Sequence, residues 1–415
     1  MTQAKPFDIT KRQVWEAYKR VKANKGAAGV DGQTIEAFES ELEGNLYKLW
    51  NRLASGSYMP PAVLRVEIPK GDGGIRPLGI PTVADRIAQM VIKQHWEPVL
   101  EKCFHQDSYG YRPGKSAHDA VGAVRKRCWR NDWVLDLDIK GFFDNISHEL
   151  MLKAVAKHTE ERWLVLYIER WLKAPIETRE GVQTLPDKGT PQGGVISPLL
   201  ANLFLHYAFD KWMEREFPGI QFARYADDAV CHCKSEAQAE VLKRALIDRM
   251  TEVGLELHPE KTKIVYCKDD DRKQTHPRTS FDFLGYQFRA RRSKNRYGKH
   301  FINFSPAISN KAGKAIRQEM RRWKLHLRSD KSLEDLAWMF NSKIQGWINY
   351  YGRYYKSAMY PTLRSLDRRL AQWATRKYKR LRGHRRRAAQ WLARIAENQK
   401  WLFAHWRLLG GTVGR

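Results

Sequence analysis

The chain has 415 residues, a formal net charge of +28 and a pI near 9.9. Its length predicts two or three packed units, and its five cysteines, without paired C-x-x-C spacing, exclude a disulfide framework and the usual zinc sites. The N-terminus has no leader pattern. The most apolar stretch, 195–209, is broken by Ser197, Pro198, Asn202 and His206, so a soluble protein without a membrane span is expected.

Helical spacing of Val14, Trp15, Tyr18 and Val21 predicts a first helix over Lys11–Asn24, stopped by the glycine-rich turn at 26–32; Thr34 can cap the next helix. Residues 63–68 alternate as a strand, 69–74 carry a hairpin turn signal, and 75–80 return. Lys70 and Arg76 stand at the two shoulders of that hairpin, suited either to an anionic ligand or to a solvated loop. Residues 84–100 form an amphipathic helix, and a Gly/Pro/basic loop at 109–116 feeds another from His118. In 134–139, Val134, Asp136 and Asp138 share one strand face while Leu135, Leu137 and Ile139 share the other. One helical stretch follows over 148–173, then a glycine-rich turn at 189–194 carrying Gln192. Ser197 reads as an N-cap with Pro198 behind it.

The segment 222–233 reads as a short hairpin with Asp227 and Asp228 at its tip. Cys231 and Cys233 on its second strand face one side, as core packing. A helix over 237–253 and a strand over 263–267 follow. Asp269, Asp270 and Asp271 fall in a polar, turn-rich stretch and read as solvated loop. Residues 281–288 form a further strand pair, a boundary is expected at 289–298, and from Ser309 the pattern is helical and basic.

Two adjacent carboxylates repel one another, which raises a carboxylate's pKa unless a cation compensates. A divalent metal is their natural partner. Asp138, at the end of its strand, supplies a third acid far upstream. A strand-end acid facing a hairpin-tip pair is the arrangement that two-metal nucleotidyl transfer requires.

Charge distribution supplies a second clue. From 305 to 415 there are 26 Lys and Arg against 6 Asp and Glu, a net of +20, with seven tryptophans interleaved. One dominant sign points to a polyanion; most of the tryptophans read as helix-packing residues although aromatics can stack on unpaired bases, and on the charge the partner is nucleic acid.

The order of these motifs resembles one family, the reverse transcriptases encoded by group II introns, also called intron maturases. Asn-Lys-Gly-Ala-Ala-Gly-Val-Asp-Gly (24–32) resembles its N-terminal block. Glu-Ile-Pro-Lys (67–70) with Ile-Arg-Pro-Leu-Gly-Ile-Pro (75–81) resembles the first fingers block, and Ser-Tyr-Gly-Tyr-Arg-Pro-Gly-Lys-Ser-Ala-His (108–118) the second. Asp-Ile-Lys-Gly-Phe-Phe-Asp (138–144), Gly-Thr-Pro-Gln-Gly-Gly-Val-Ile-Ser-Pro (189–198) and Tyr-Ala-Asp-Asp (225–228) match palm blocks. Gly-Trp-Ile-Asn-Tyr-Tyr (346–351) resembles the thumb.

The resemblance implies an α+β right-hand polymerase: fingers with an N-terminal extension over 1–125, palm over 126–295, an all-α basic thumb or maturase domain over 300–387, and a short helical tail over 388–415. It implies that Asp138, Asp227 and Asp228 hold two Mg²⁺, with Mn²⁺ as a substitute and the Ile139 carbonyl as a further ligand. Lys70 and Arg76 would grip the triphosphate of a dNTP, Gln192 would meet its sugar or base, Phe143 would be the steric gate against a 2′-hydroxyl, and Lys261 would orient the catalytic region. Nucleic acid is expected at Arg112, Lys115 and Tyr225 and along Arg376, Lys377, Lys379, Arg380, Arg382, Arg385, Arg386 and Arg387. The implied partners are an RNA template, a DNA primer and the parent intron RNA, with retromobility as the outcome, in a bacterial-type cytoplasm and at the nucleoid when DNA is bound. No cysteine follows Cys267, so the family's nuclease domain is expected to be absent. Two other readings stay open: a host-domesticated relative in repair or defence, and a splicing-only RNA-binding maturase.

Overall fold

The computed structural model describes residues 5–69 and 74–410. Lys70 lies outside them. The fold is mixed α+β, and the chain divides into two units: residues up to Ala120 with Val134–Ile264, and Val121–Trp133 with the chain from Val265 onward. Among the described residues no helix is long and apolar enough to cross a membrane.

In the first unit, Val63–Pro69 pairs antiparallel with Ile75–Ile80 and parallel with the short strand Ile176–Glu177, which in turn pairs with Gln183–Thr184. A second sheet is ordered Gln221–Tyr225, Asp228–Cys233, Trp133–Leu137, Lys263–Tyr266. Its central strands are short apolar runs because both faces are covered, and Ala229 through Cys233 are all buried. The helix Glu236–Glu252 packs on Asp228–Cys233 through Ala239, Leu242, Leu246 and Met250, a stripe at helical spacing. Cys231 and Cys233 are core residues as expected. Burial raises both thiols, that of Cys233 to about 12.

Two local expectations change. The helical stretch over 148–173 is two helices, His148–Ala156 and Arg162–Leu172. Apolar spacing continued across the break, but Thr159, Glu160 and Glu161 carry no core-facing group. Ser197 is inside the helix Ser197–Leu205 rather than its cap, and its hydroxyl is bonded to that of Thr190 at 2.9 Å. Just before this helix the N–H groups of Val195 and Ile196 donate to Gln89 Oε1, at 2.8 and 3.2 Å.

The second unit carries an antiparallel sheet of Ser280–Phe283, Tyr286–Lys294 and His300–Ile308, followed by the helices Asn310–Arg322, Leu333–Tyr351, Tyr360–Lys377, Arg385–Asn398 and Ala404–Leu408. The boundary expected at 289–298 therefore falls inside a β-ribbon. Asp269 and Asp270 are not simply solvated either: Asp269 pairs with Arg272, and Asp270 accepts from the Ile302 N–H at 2.8 Å. Trp323 stacks on Phe340 at 4.2 Å and on Trp347 at 5.5 Å, over a core that includes Leu366, Trp373, Leu392 and Trp406. Tyr350 donates to the Leu284 carbonyl at 3.0 Å, and Tyr286 donates to the Tyr350 carbonyl. The aromatic motif at 346–351 thus fastens its helix to the sheet.

Candidate active site

Asp138 follows the strand Trp133–Leu137 directly and is half-buried. Its carbonyl accepts from His258 N–H at 2.8 Å, and Lys140 N–H donates to the Glu256 carbonyl at 2.8 Å. Ile139 faces Leu257 between those two bonds. In such a non-hydrogen-bonded pair a residue's own N–H and C=O point away from the partner strand, which leaves the Ile139 carbonyl outside this ladder. Lys261 Nζ lies 3.7 Å from Asp138 Oδ2.

Asp227 and Asp228 are presented by a two-residue turn. Tyr225 pairs with Asp228, and Ala226 and Asp227 connect them. Ala226 has a φ of 56°, the left-handed conformation that the first position of such a turn demands and that glycine normally fills. A side chain there costs roughly 1 kcal/mol or more. The strain is held from below. Arg224, buried in the preceding strand, donates from Nη1 to the Ala226 carbonyl at 3.0 Å and to Asn202 Oδ1 at 3.1 Å. Its Nε and Nη2 form a two-pronged pair with the buried Asp210 at 2.7 and 2.6 Å. Asn202 donates to the Gly110 carbonyl at 2.7 Å. Gly110 lies so close to the turn that a Cβ on it would fall 2.4 Å from Ala226 N and 3.0 Å from the Tyr225 carbonyl carbon. Asp210 itself ends a π-helical turn, His206–Asp210, inserted between the helices Ser197–Leu205 and Lys211–Glu216.

The acids are electrostatically frustrated. Desolvation raises Asp227, Asp138 raises it further, and Arg76 and Arg224 oppose the shift. Asp228 is raised to about 7 by desolvation and then by Asp227 and Asp138, against Arg76 and Lys261. Asp228 is open to solvent by area, so it sits where water reaches it but protein surrounds it, as on the floor of a cleft. Tyr111 is raised by desolvation and then by Asp227, and its ring lies 6.4 Å from that of Tyr225.

This repulsion predicts a stability effect. With a folded pKa near 7 against about 4 unfolded, the folded protein holds the extra proton between those values. The charge on Asp228 therefore weakens folding as pH rises through that window, and its cost is complete above 7. Solvent screening reduces it to about 1 kcal/mol. Without divalent cations at pH 8, Asp228→Asn should raise Tm by about 1–2 °C, with the gap closing towards pH 4. Equal Tm values at pH 8 would remove the repulsion.

Two loops complete the site. Thr190 N–H donates to the Phe143 carbonyl at 2.8 Å and Gly189 N–H to that of Ile146 at 2.7 Å. Gly189 has a φ of +84°, and a Cβ there would fall 2.8 Å from the Phe143 carbonyl oxygen. On the other side of this loop, Gly79 N–H donates to the Gln192 carbonyl at 2.8 Å. Phe143, Gln192 and the Arg76 strand are therefore linked through one backbone. A cavity of about 170 Å³ lies among Leu78, Gly79, Asp144, Lys188 and Gln192.

Other expected residues lie differently. The Arg112 side chain is only 6% exposed and is consumed by Glu101 at 2.8 Å and the carbonyls of His105 and Ser108 at 2.6 and 2.9 Å. It braces the 105–112 loop and offers no donor to nucleic acid, which corrects that expectation. Lys115 is half-buried, with Nζ 2.7 Å from the Gln106 carbonyl. Tyr225 is half-buried beside the acids. The run from Arg376 to Arg387 lies in the second unit. There Arg376, Lys379, Arg380, Arg382, Arg385, Arg386 and Arg387 are exposed, while Lys377 is half-buried, bonded to the Ser329 carbonyl at 3.0 Å. The bracing set of Arg224, Asp210, Asn202 and Gly110 was missed. An arginine in the apolar strand Gln221–Tyr225 was the available signal, because a buried guanidinium requires a buried acid.

Among the described residues no three His, Cys, Asp or Glu side chains converge as a ready-made metal cage. The raised Asp227 and Asp228 are the observation that calls for a cation.

The model of the reverse transcriptase (RNA-dependent DNA polymerase) family matches residues 68–288, and that of the group II intron maturase-specific domain matches 313–391. Protein YkfC of Escherichia coli (strain K12) is 32% identical over 326 residues, 68% of this chain and 81% of that protein. The group II intron-encoded protein LtrA of Lactococcus lactis subsp. cremoris is 27% identical over 423 residues, 81% of this chain and 68% of that one. A putative COX1/OXI3 intron 1 protein of Saccharomyces cerevisiae is 27% identical over 322 residues, 65% of this chain and 37% of that one. With a polymerase domain carrying the acids and a maturase domain behind it, the chain belongs to the group II intron reverse transcriptases and is an RNA-directed DNA polymerase.

Proposed function

We propose that this polymerase copies RNA into DNA by two-metal nucleotidyl transfer at Asp138, Asp227 and Asp228, and that it binds its parent intron RNA to assist splicing and retromobility. The observation that carries the reading is the strained turn at Ala226, which holds two acids of raised pKa within the electrostatic reach of a third. Divalent cations bound there, with the Ile139 carbonyl, would supply activation of a primer 3′-hydroxyl and neutralisation of triphosphate charge.

The residues around them do the rest. Arg76, exposed and felt by both tip acids, grips the triphosphate as a charge-assisted donor. Lys261 steadies Asp138. Phe143 lies under the sugar, and Gln192 meets sugar or base from the loop that fixes both. The first unit supplies fingers and palm, and the helices from Asn310 onward supply the thumb, whose basic run from Arg376 to Arg387 takes RNA phosphates. The enzyme works in the cytoplasm and at the nucleoid.

Extension of a DNA primer on a homopolymer RNA template with Mg²⁺ tests the reaction. Within it, Phe143→Ala should raise ribonucleotide incorporation roughly ten- to a hundredfold relative to deoxynucleotide. Unchanged sugar discrimination would remove Phe143 from the gate. Intron RNA should outcompete unrelated RNA at raised salt, since phosphate contacts alone confer no preference.

A further inference from the structure

In the second unit a cavity of about 640 Å³ lies beside the C-terminal half of the helix Leu333–Tyr351. Arg353, Lys356 and Arg407 stand in its wall with the side-chain amides of Gln345 and Asn349, and no carboxylate lines it. Among the described residues none of the three cations makes an ion pair. Like charges gathered in a concavity without a counter-charge raise the local concentration of anions. No residue of the basic run from Arg376 to Arg387 belongs to this wall.

Two tryptophans stand along the same helix side. Trp401 is 75% exposed, and the Arg407 guanidinium lies 4.7 Å from the centre of its ring. The turn bearing it is fixed: Asn341 donates to the Leu402 carbonyl at 2.8 Å and accepts from Ala404 N–H at 3.0 Å. Trp338, one helical turn before Asn341, is 86% exposed. The spacing of Trp338, Asn341, Gln345 and Asn349 sets them along one side of the helix. The strip therefore runs from one open indole, past the residue that anchors a second, to a cationic cavity. An indole held open on a fixed turn beside a cationic cavity offers a flat face on which a base can stack.

We propose that this strip is a subsite for single-stranded RNA, with phosphates in the Arg353–Lys356–Arg407 cavity and an unpaired base on the open face of Trp401. Every base has a π-face, so an indole backed by a guanidinium accepts any of them. An acidic peptide would satisfy the cations and leave both indoles in water. The choice of RNA rests on the polymerase and maturase reading above, whereas the charge and ring placement do not.

The test is fluorescence anisotropy of a labelled, unstructured single-stranded RNA with the full chain, across a salt series. Trp401→Ala should weaken binding about tenfold, the loss of one stacked base, with the salt slope kept, and Trp401→Phe should restore most of it. Arg353→Gln, Lys356→Gln and Arg407→Gln together should flatten the slope of log affinity against log salt by about two, as expected for three phosphates on a single strand. Unchanged affinity and slope would overturn the subsite. So would an equal loss for duplex RNA, or polyglutamate displacing the RNA as well as unlabelled RNA does, the last pointing to an acidic protein partner. Homopolymer-template extension by the wild-type chain is scored separately: its absence would sink the polymerase reading and leave the RNA-binding result standing.

Discussion

Asp227→Asn should abolish primer extension while leaving RNA affinity within about twofold of the wild type. The amide is isosteric with the acid, so the turn at Ala226 and its support from Arg224 persist. What disappears is one negative charge from a site where Asp138, Asp227 and Asp228 already act on one another. Removing a single preorganised electrostatic partner from an active site typically costs 10²–10³-fold in turnover, and a lost metal ligand costs at least as much. The expected loss is on the order of 10³-fold or more. The measurement is steady-state extension on a homopolymer RNA template across Mg²⁺ and Mn²⁺ concentrations, with RNA affinity read in parallel. Extension within tenfold of wild type would place the chemistry elsewhere.

Gly110→Ala carries the second large effect, although this residue has no side chain. The added methyl would fall 2.4 Å from Ala226 N, well inside any contact real atoms sustain. Either the 105–112 loop or the acid-bearing turn must move. The loop is tied down by Arg112 to Glu101 and by Tyr109 N–H to the Arg224 carbonyl at 2.8 Å, so the turn yields. A displacement near 1 Å at reacting groups can cost about 10²-fold. The expected result is a loss of about that size in kcat, with KM for the dNTP and RNA affinity nearly unchanged. A parallel rise in KM, or global unfolding below 37 °C, would show that Gly110 serves the fold rather than the placement of the acids.

The acids themselves were legible because chemistry constrains them locally: adjacent carboxylates on a hairpin tip have no folding rationale, and alternation alone places Asp138 at a strand end. The brace under them was not. Arg224 meets Asp210 across 14 residues of chain, and the meeting depends on a helix register that no apolar pattern encodes. Arg112 misled for the same reason, since its basic loop setting gave no sign that Glu101 would take the guanidinium. The misplaced boundary at 289–298 has a different cause. The ribbon Tyr286–Lys294 buries Tyr286 and Phe288 but then carries Arg289, Arg291 and Arg292, with the buried position at 291 filled by an arginine, so the period-two apolar signal fades while the hydrogen-bond ladder continues to Lys294 and His300. Periodicity reports burial, and a ribbon can pair without it.

The π-turn His206–Asp210 has a consequence of its own. It adds one residue to what would otherwise be a continuous helix, and an α-helix advances about 100° per residue. Inserting a further residue between 206 and 210, which the wide turn cannot also absorb, would swing Asp210 by about that angle, away from Arg224, even if every side chain named here were retained. An uncompensated arginine would then lie beneath the acid-bearing turn, at a cost of about 3–5 kcal/mol. Here the spelling of the segment is negotiable and its length is not.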